Sequence, residues 1–256
     1  MRRYLSVAGG LAWRLLHTLV TNPLLLLPPL LMPIFFFTAF AGGLSAVGDV
    51  PGFDYGPGYT SFIFAFVLLQ TAAFGGVFSG FSIAADFQFG FGRRLLLATP
   101  HRTALILGYG VVAMIRAAVT LTAVTLIGLA VGMEIDGGGL DLFGMYALAA
   151  IVNVAGLLFA AGVALRFRSL QATPLMQVPV FLFLFLAPVY VPRDLLGGWV
   201  HAVAPFNPAT HVMETVRDLV AGTGSEYLAT LSIITALLVA AFAFAITGLR
   251  RAEAAG

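Results

Sequence analysis

The chain turns apolar for about twenty residues at a time, over and over, and that repetition decides what it can fold into. Runs at 24–44, 60–84, 104–131, 142–165 and 227–249 are each long enough to cross ~30 Å of hydrocarbon. A shorter, proline-broken run covers 173–191. A composition of 60% hydrophobic and 9% charged residues, with a mean hydropathy of +1.01, cannot supply a water-facing surface of ordinary size. A barrel would show short alternating segments instead of continuous runs. The expectation is an all-α polytopic membrane protein, one domain over 1–256, with six transmembrane helices.

Charge exclusions come next. There are no cysteines, so neither a disulfide framework nor a thiolate metal site is available. All 13 basic residues are arginine and none is lysine. A Walker A loop needs a lysine on the nucleotide phosphates, so this chain does not hydrolyse ATP by a P-loop. A net charge of +2 gives no reason to expect nucleic acid.

The arginines also sort by side. Taking the arginine-rich ends as cytoplasmic, that side holds Arg2, Arg3, Arg14, Arg93, Arg94, Arg102, Arg166, Arg168, Arg250 and Arg251 against Asp86 and Glu253. The opposite side holds nine of the eleven acids against Arg193 and Arg217. The positive-inside rule then puts both termini in the cytoplasm of a multi-pass protein of the cell membrane.

At the N-terminus, Arg3, Ser6, Gly10, Arg14 and His17 form one polar stripe, opposite Leu5, Ala8, Leu11, Leu15 and Leu19. This predicts an interfacial amphipathic helix over 1–22 with its arginines toward water, not a cleaved signal peptide. Asn22-Pro23 ends it, and Pro28, Pro29 and Pro33 delay or kink the first span. Acidic loops carry Asp49 and Asp54, then Glu134, Asp136 and Asp141 beside Gly137, Gly138 and Gly139.

The polar island at 86–102 lies between the second and third spans. Asp86 suits a helix start, and Thr99-Pro100 a stop, because the residue before proline is driven out of the α region. Phe87, Phe91, Leu95 and Ala98 recur at helical spacing between them. The segment reads either as a helix that touches a partner or as a loop whose arginines set topology. After the fifth run, 192–224 holds two short helical patterns. One contains Trp199 as an interface anchor, and the other starts at Asn207-Pro208 and stops at Gly222. Neither is long enough to cross, so both are expected to dip into the outer leaflet and return.

Four stretches in this order resemble the type 2 ATP-binding-cassette exporter permeases, the class with the daunorubicin-resistance-type drug exporters. They are Thr21-Asn22-Pro23 leading into the first span after the amphipathic helix, Gly90 to Arg102 with its RRLLLATPHR, Val189 to Trp199 with part of its YVPRDLLGGW, and Phe206 to Thr210 followed by Arg217-Asp218-Leu219 and Gly222. The resemblance implies that 86–102 is a coupling element docking on a separate ATPase, through Phe87, Phe89, Phe91, Arg93, Arg94, Leu95, Pro100 and Arg102. It implies that Arg3, Arg14 and His17 belong to a helix that holds that ATPase at the membrane. Trp199, Asn207, Pro208 and Arg217 would cap the outer end. Two permease chains would meet over two ATPases, which bind the ATP and Mg; no cofactor is expected in this chain.

Candidate path residues are Phe66, Gln70, Phe74, Arg116 and Gln177. An arginine well inside a span costs ~2.5–3.5 kcal/mol on insertion scales, so Arg116 either pairs within the protein or snorkels, or it faces a water-filled path. The row Phe62, Phe66, Gln70, Phe74, Phe78 and Phe81 meets lipid and other helices, or else the partner permease. His211, Glu214 and Asp218 share a helix face, too sparse a set to predict a metal. A secondary transporter is the alternative, disfavoured because all the acids fall outside the spans and no inverted repeat is evident. An integral-membrane enzyme would need clustered carboxylates or ligands, and no such pair is found.

The topology is directly testable because any introduced cysteine is unique. Membrane-impermeant thiol reagents added outside should label cysteines at Asp54, Gly138 and Gly224, and not at Thr99. Outside labelling at Thr99 would overturn the six-span reading.

Overall fold

A computed structural model describes residues 2–99, 101–224 and 227–254. Those residues form ten α-helices joined by short 3-10 turns and loops, and none of them is in a strand. In order the helices are α1 Arg2–Thr21, α2 Leu27–Gly43, α3 Gly58–Gln88, α4 Phe91–Ala98, α5 Thr103–Ala130, α6 Gly139–Phe167, α7 Thr173–Phe185, α8 Gly198–Val203, α9 Pro208–Ala221 and α10 Tyr227–Ala254. Among the described residues α3, α5, α6 and α10 are long and apolar enough to cross a membrane.

The other two apolar runs are shorter as helices, and proline is the reason. Pro23–Leu26 winds as a 3-10 turn before α2, whose first turn takes Pro28 and Pro29 where no intrahelical donor is needed. Pro33 remains inside α2. The run expected to be helical to 191 ends at Phe185, ahead of Pro188. Pro179 lies inside α7 and interrupts its hydrogen-bond ladder. At about 20 Å of rise, α7 alone falls short of the hydrocarbon thickness.

The bundle is built around α3, whose most apolar window is 89% buried within the chain, against 22% for α10. Its closest partner is α6, and small residues permit the approach. A Cβ on Gly76 would lie 2.1 Å from the Asn153 carbonyl oxygen, and one on Gly156 would lie 2.6 Å from the Ala73 carbonyl oxygen. One turn on, a Cβ on Gly80 would meet the Ala160 methyl at 2.4 Å. Asn153, fully buried, donates through Nδ2 to the Ala72 carbonyl at 3.0 Å and ties the two backbones together.

α1 packs on α5 through buried Ala8, Leu11 and Ala12, with Ala8 against Gly108. Leu5, expected on the apolar side, is 58% exposed, as is most of Trp13. The buried face is thus rotated from the expected one, toward Arg14. At the end of the bundle away from α4, Asp136 and Gly137 donate from their backbone N–H groups to the Val220 carbonyl. A Cβ on Gly137 would be 2.0 Å from the Leu219 oxygen, so this glycine serves a close approach to α9 and not merely a flexible turn.

Gly76→Leu should therefore abolish the folded protein, read as loss of a monodisperse peak in detergent. Gly9, in α1 with open space around its Cα, should accept alanine with a gain of about 0.5–1 kcal/mol in thermal or denaturant stability.

Candidate functional site

The island begins differently from the sequence expectation. Asp86 does not start a helix; it lies in the last turn of α3, which runs on to Gln88. Phe89 closes that helix, and Gly90 turns the chain with φ +80°, a left-handed conformation suited to glycine. Only then does α4 run from Phe91 to Ala98, and Thr99 leaves the helix in extended conformation. Pro100 lies outside the described residues.

What Asp86 does instead is receive three bonds. Arg14 of α1 grips its carboxylate with both Nη atoms, Nη1 to Oδ1 at 3.1 Å and Nη2 to Oδ2. The Tyr109 hydroxyl of α5 donates to the same Oδ2. The Arg14 guanidinium also covers the Phe91 ring of α4, 4.0 Å from its centroid. Four helices thus converge on one paired charge, whose bidentate geometry adds direction as well as strength. Arg14 was expected to face water; the acid at the end of α3 draws it inward. The other acid of this end, Glu253, pairs with Arg102 at 3.0 Å. Gln88 completes the junction by accepting from the Leu170 N–H at 2.8 Å.

This anchoring decides which face of α4 is presented. Phe87, Phe91 and Leu95 are half-buried, and Phe87 packs under Gly92, where a Cβ would strike its ring. Facing away are Phe89, 73% exposed, and Leu97, 72% exposed, with exposed Arg93 and Arg94 between them. Leu97 was missed from the sequence because 95–97 is a run of three leucines without a legible face. On α1, Arg3 and His17 are exposed, with His17 stacked on Trp13.

The candidate path residues lie inside the chain's own packing. Arg116 is 8% exposed and donates through Nη2 to the Gly75 carbonyl at 2.6 Å and to Ser79 Oγ at 2.7 Å. It joins α5 to α3 and does not snorkel. Phe66 meets Phe185 at 5.4 Å and Phe74 meets Phe181 at 5.8 Å, so α7 covers this aromatic row. Gln70 is buried beneath it, and Gln177 on α7 is half-buried.

At the opposite end, Asn207 caps α9 as its sequence predicts. Its Oδ1 accepts from the Ala209 N–H, Pro208 takes the first helical position, and Gly222 follows the helix with φ +65°. Asn207 Nδ2 also donates to the Phe183 carbonyl at 2.6 Å, fixing α9 over the end of α7. Trp199 is 67% exposed. Arg217, expected in a re-entrant segment that caps the outer end, is 5% exposed. It lies 3.4 Å above the Phe62 ring and donates to the carbonyls of Pro188, Val189 and Phe62. The Tyr55 hydroxyl donates to the Arg217 carbonyl at 2.8 Å, and burial raises its pKa far enough that it stays a donor, although the Arg217 charge opposes the shift. His211 Nε2 contacts the Pro205 carbonyl, and among the described residues no three His, Cys, Asp or Glu side chains are grouped to hold a metal.

Residues 9–220 match the family described as ABC-2 type transporter. The daunorubicin resistance ABC transporter permease protein DrrB1 of Streptomyces coeruleorubidus is 26% identical over 236 residues, which is 90% of this chain and 81% of that protein. A putative transport permease, ycf38 of Pyropia yezoensis, is 25% identical over 215 residues, 82% of this chain and 72% of its own length. The ycf38 of Porphyra purpurea is 24% identical over 216 residues, 84% of this chain and 74% of its own. With a match over most of its length and helices that can span a bilayer, the chain belongs to the ABC-2 type transporter family, as a membrane permease component.

Proposed function

We propose that this chain is the membrane subunit of an ATP-driven exporter that moves an amphipathic or lipid-like substrate out of the cytoplasm or inner leaflet. A separate ATPase, in two copies with their ATP and Mg, would power it, and a second permease chain, identical or homologous, would complete the pathway. The chain would sit in the cell membrane with both termini cytoplasmic. It would cross six times, with α2 and α7 lengthened by their flanking turns to reach both faces, and α8 and α9 re-entering from outside. The observation that carries this reading is the α4 junction. A short amphipathic helix is held by Asp86 and Arg14 while it leaves Phe89, Arg94 and Leu97 exposed. The family membership, and a relative whose name specifies daunorubicin resistance, favour export of an amphipathic compound.

A partner can drive a conformational change only by binding two states unequally. Docking on Phe89 and Leu97 would supply such contact, at ~1.5–3 kcal/mol for each side chain buried. Arg94 would add charge-assisted bonds to carboxylates. The Asp86 anchor would then pass the displacement of α4 to α1, α3 and α5 together.

Two expected outcomes separate docking from transmission. Phe89→Ala with Leu97→Ala should weaken ATPase co-purification by about tenfold or more per side chain, with membrane insertion intact. Undiminished co-purification would mean that the ATPase docks elsewhere. Asp86→Asn should leave the ATPase bound but remove substrate stimulation of its hydrolysis, measured in reconstituted liposomes. The exchange Arg14→Asp with Asp86→Arg should restore part of it. Full coupling in Asp86→Asn would confine the pair to a structural role.

A further inference from the structure

Outside the α4 junction the chain holds an apolar cavity of about 320 Å³, and none of the candidate path residues lines it. It opens between α7 and α10. α7 packs on α3, α6 and α9, and α10 packs on α6 and α9, so the two helices flank a gap whose back wall is α6 with Leu69 and Ala73 of α3. Sequence creates the gap. Pro179 disrupts α7, and Ala155 on α6 and Ala240 and Ala241 on α10 are too small to close it. The N-terminal turn of α9 roofs the cavity, held there by the Asn207–Phe183 bond.

Its shape and surroundings limit the occupant. The α10 lining extends from Ile234 to Phe244, ten residues or about 15 Å of rise. That length matches an extended run of about a dozen methylenes, so the cavity is a slot elongated along the helices. Every lining side chain is hydrocarbon, and one side of the mouth is α10, a helix able to span the bilayer. Left empty, such walls would forfeit dispersion contacts on one side. The foot of the slot is polar in one respect. Phe244 carries the Arg166 guanidinium 3.7 Å from its ring centroid, and the hydrogen-bond acceptors of Arg166 there are uncharged, the Gly162 and Phe244 carbonyls and Thr247 Oγ1. A cation without an acid among those partners suits a phosphate.

We infer that this slot is a binding site for one acyl chain of a bilayer phospholipid, which lies with its phosphate toward Arg166. The site is a feature of the permease fold and does not depend on what the transporter exports. It would fill the gap that Pro179 opens and brace α7 against α10.

The full chain reconstituted in phosphatidylcholine–phosphatidylglycerol vesicles, with a trace of phospholipid bearing a diazirine midway along one acyl chain, tests it. After irradiation, peptide mapping should find label concentrated at Val212, Leu237 and Ala241, several-fold above Leu126, which is 61% exposed on the outer face of α5. Labelling of the slot no stronger than that of Leu126 would overturn the inference, and this ratio needs no variant. Ala240→Trp, at the exposed mouth, should abolish the excess while Ala240→Ser keeps it; equal labelling of both variants would overturn it. A diazirine alkane without a headgroup should label the slot more weakly, and equal labelling would overturn the phospholipid assignment. Ala240→Cys that crosslinks to a second chain would also overturn it, because a partner permease would then cover the mouth.

Discussion

The contact on which the rest of this structure depends is the near-touching of α3 and α6. In hydrocarbon, burying another leucine gains little, because lipid tails are as apolar as the protein interior. Close backbone approach and a few well-placed polar bonds must do the work instead. Gly76, Gly80 and Gly156 permit the approach, and Asn153 supplies the bond to Ala72. With α6 that close on one side, α3 can be enclosed by α2, α5, α7 and α9 on the others, and its Ser61, Gln70, Thr71 and Ser79 become interior.

Interior arginines are then accommodated in one way at two depths of the bundle. Arg116 and Arg217 bond mainly to backbone carbonyls, and neither bonds to a carboxylate. A guanidinium spreads its charge over a planar fork of donors, so carbonyl dipoles can share it without a buried acid. The carbonyls are available for local reasons. Gly75 has no side chain to shield its oxygen, and Pro188 and Val189 follow the end of α7, where intrahelical donors have run out. Asp86 and Arg14 differ, pairing as full charges near one end of the bundle, where part of Arg14 still meets solvent.

How much of this could be read beforehand follows from range. Signals that act within one turn were legible: Asn207-Pro208 as cap and first turn, Gly222 as stop, and the apolar runs of α3, α5, α6 and α10. The sorting of charge was legible too, and the arginines assigned to one side, such as Arg14, Arg102, Arg168 and Arg251, do converge at one end of the bundle. Asp86 was misread because a carboxylate near a helix boundary looks like a cap whatever its true partner. Its partners, Arg14 and Tyr109, are 72 and 23 residues away. The exposed face of α4 was unreadable for the same reason, since it is set by Phe91 under Arg14 and Phe87 under Gly92. The phenylalanine row of α3 left two readings open, lipid and other helices or a partner permease, and for Phe66 and Phe74 the neighbour is α7, more than 100 residues on in the chain.

Stiffness is therefore distributed unequally across the bundle. Packed interiors transmit strain where backbones interlock, and α3 against α6 leaves no room even for a methyl group at Gly76. The α3–α7 contact is of another kind: rings on rings, Phe66 on Phe185 and Phe74 on Phe181, with a proline inside α7. Aromatic pairs tolerate a range of offset and tilted arrangements at similar energy. α7 has a further gap on its α10 side. A force applied at α4 enters through Asp86 at the last turn of α3, and α3 and α6 must respond as one body. The least resisted displacement is then of that body against α7, not of one central helix against the other. Near its far end α3 meets Arg217, whose bonds to Pro188 and Val189 hold the chain just after α7. Those directional bonds set the limit of such a slide at that end, whereas the ring contacts below them set little.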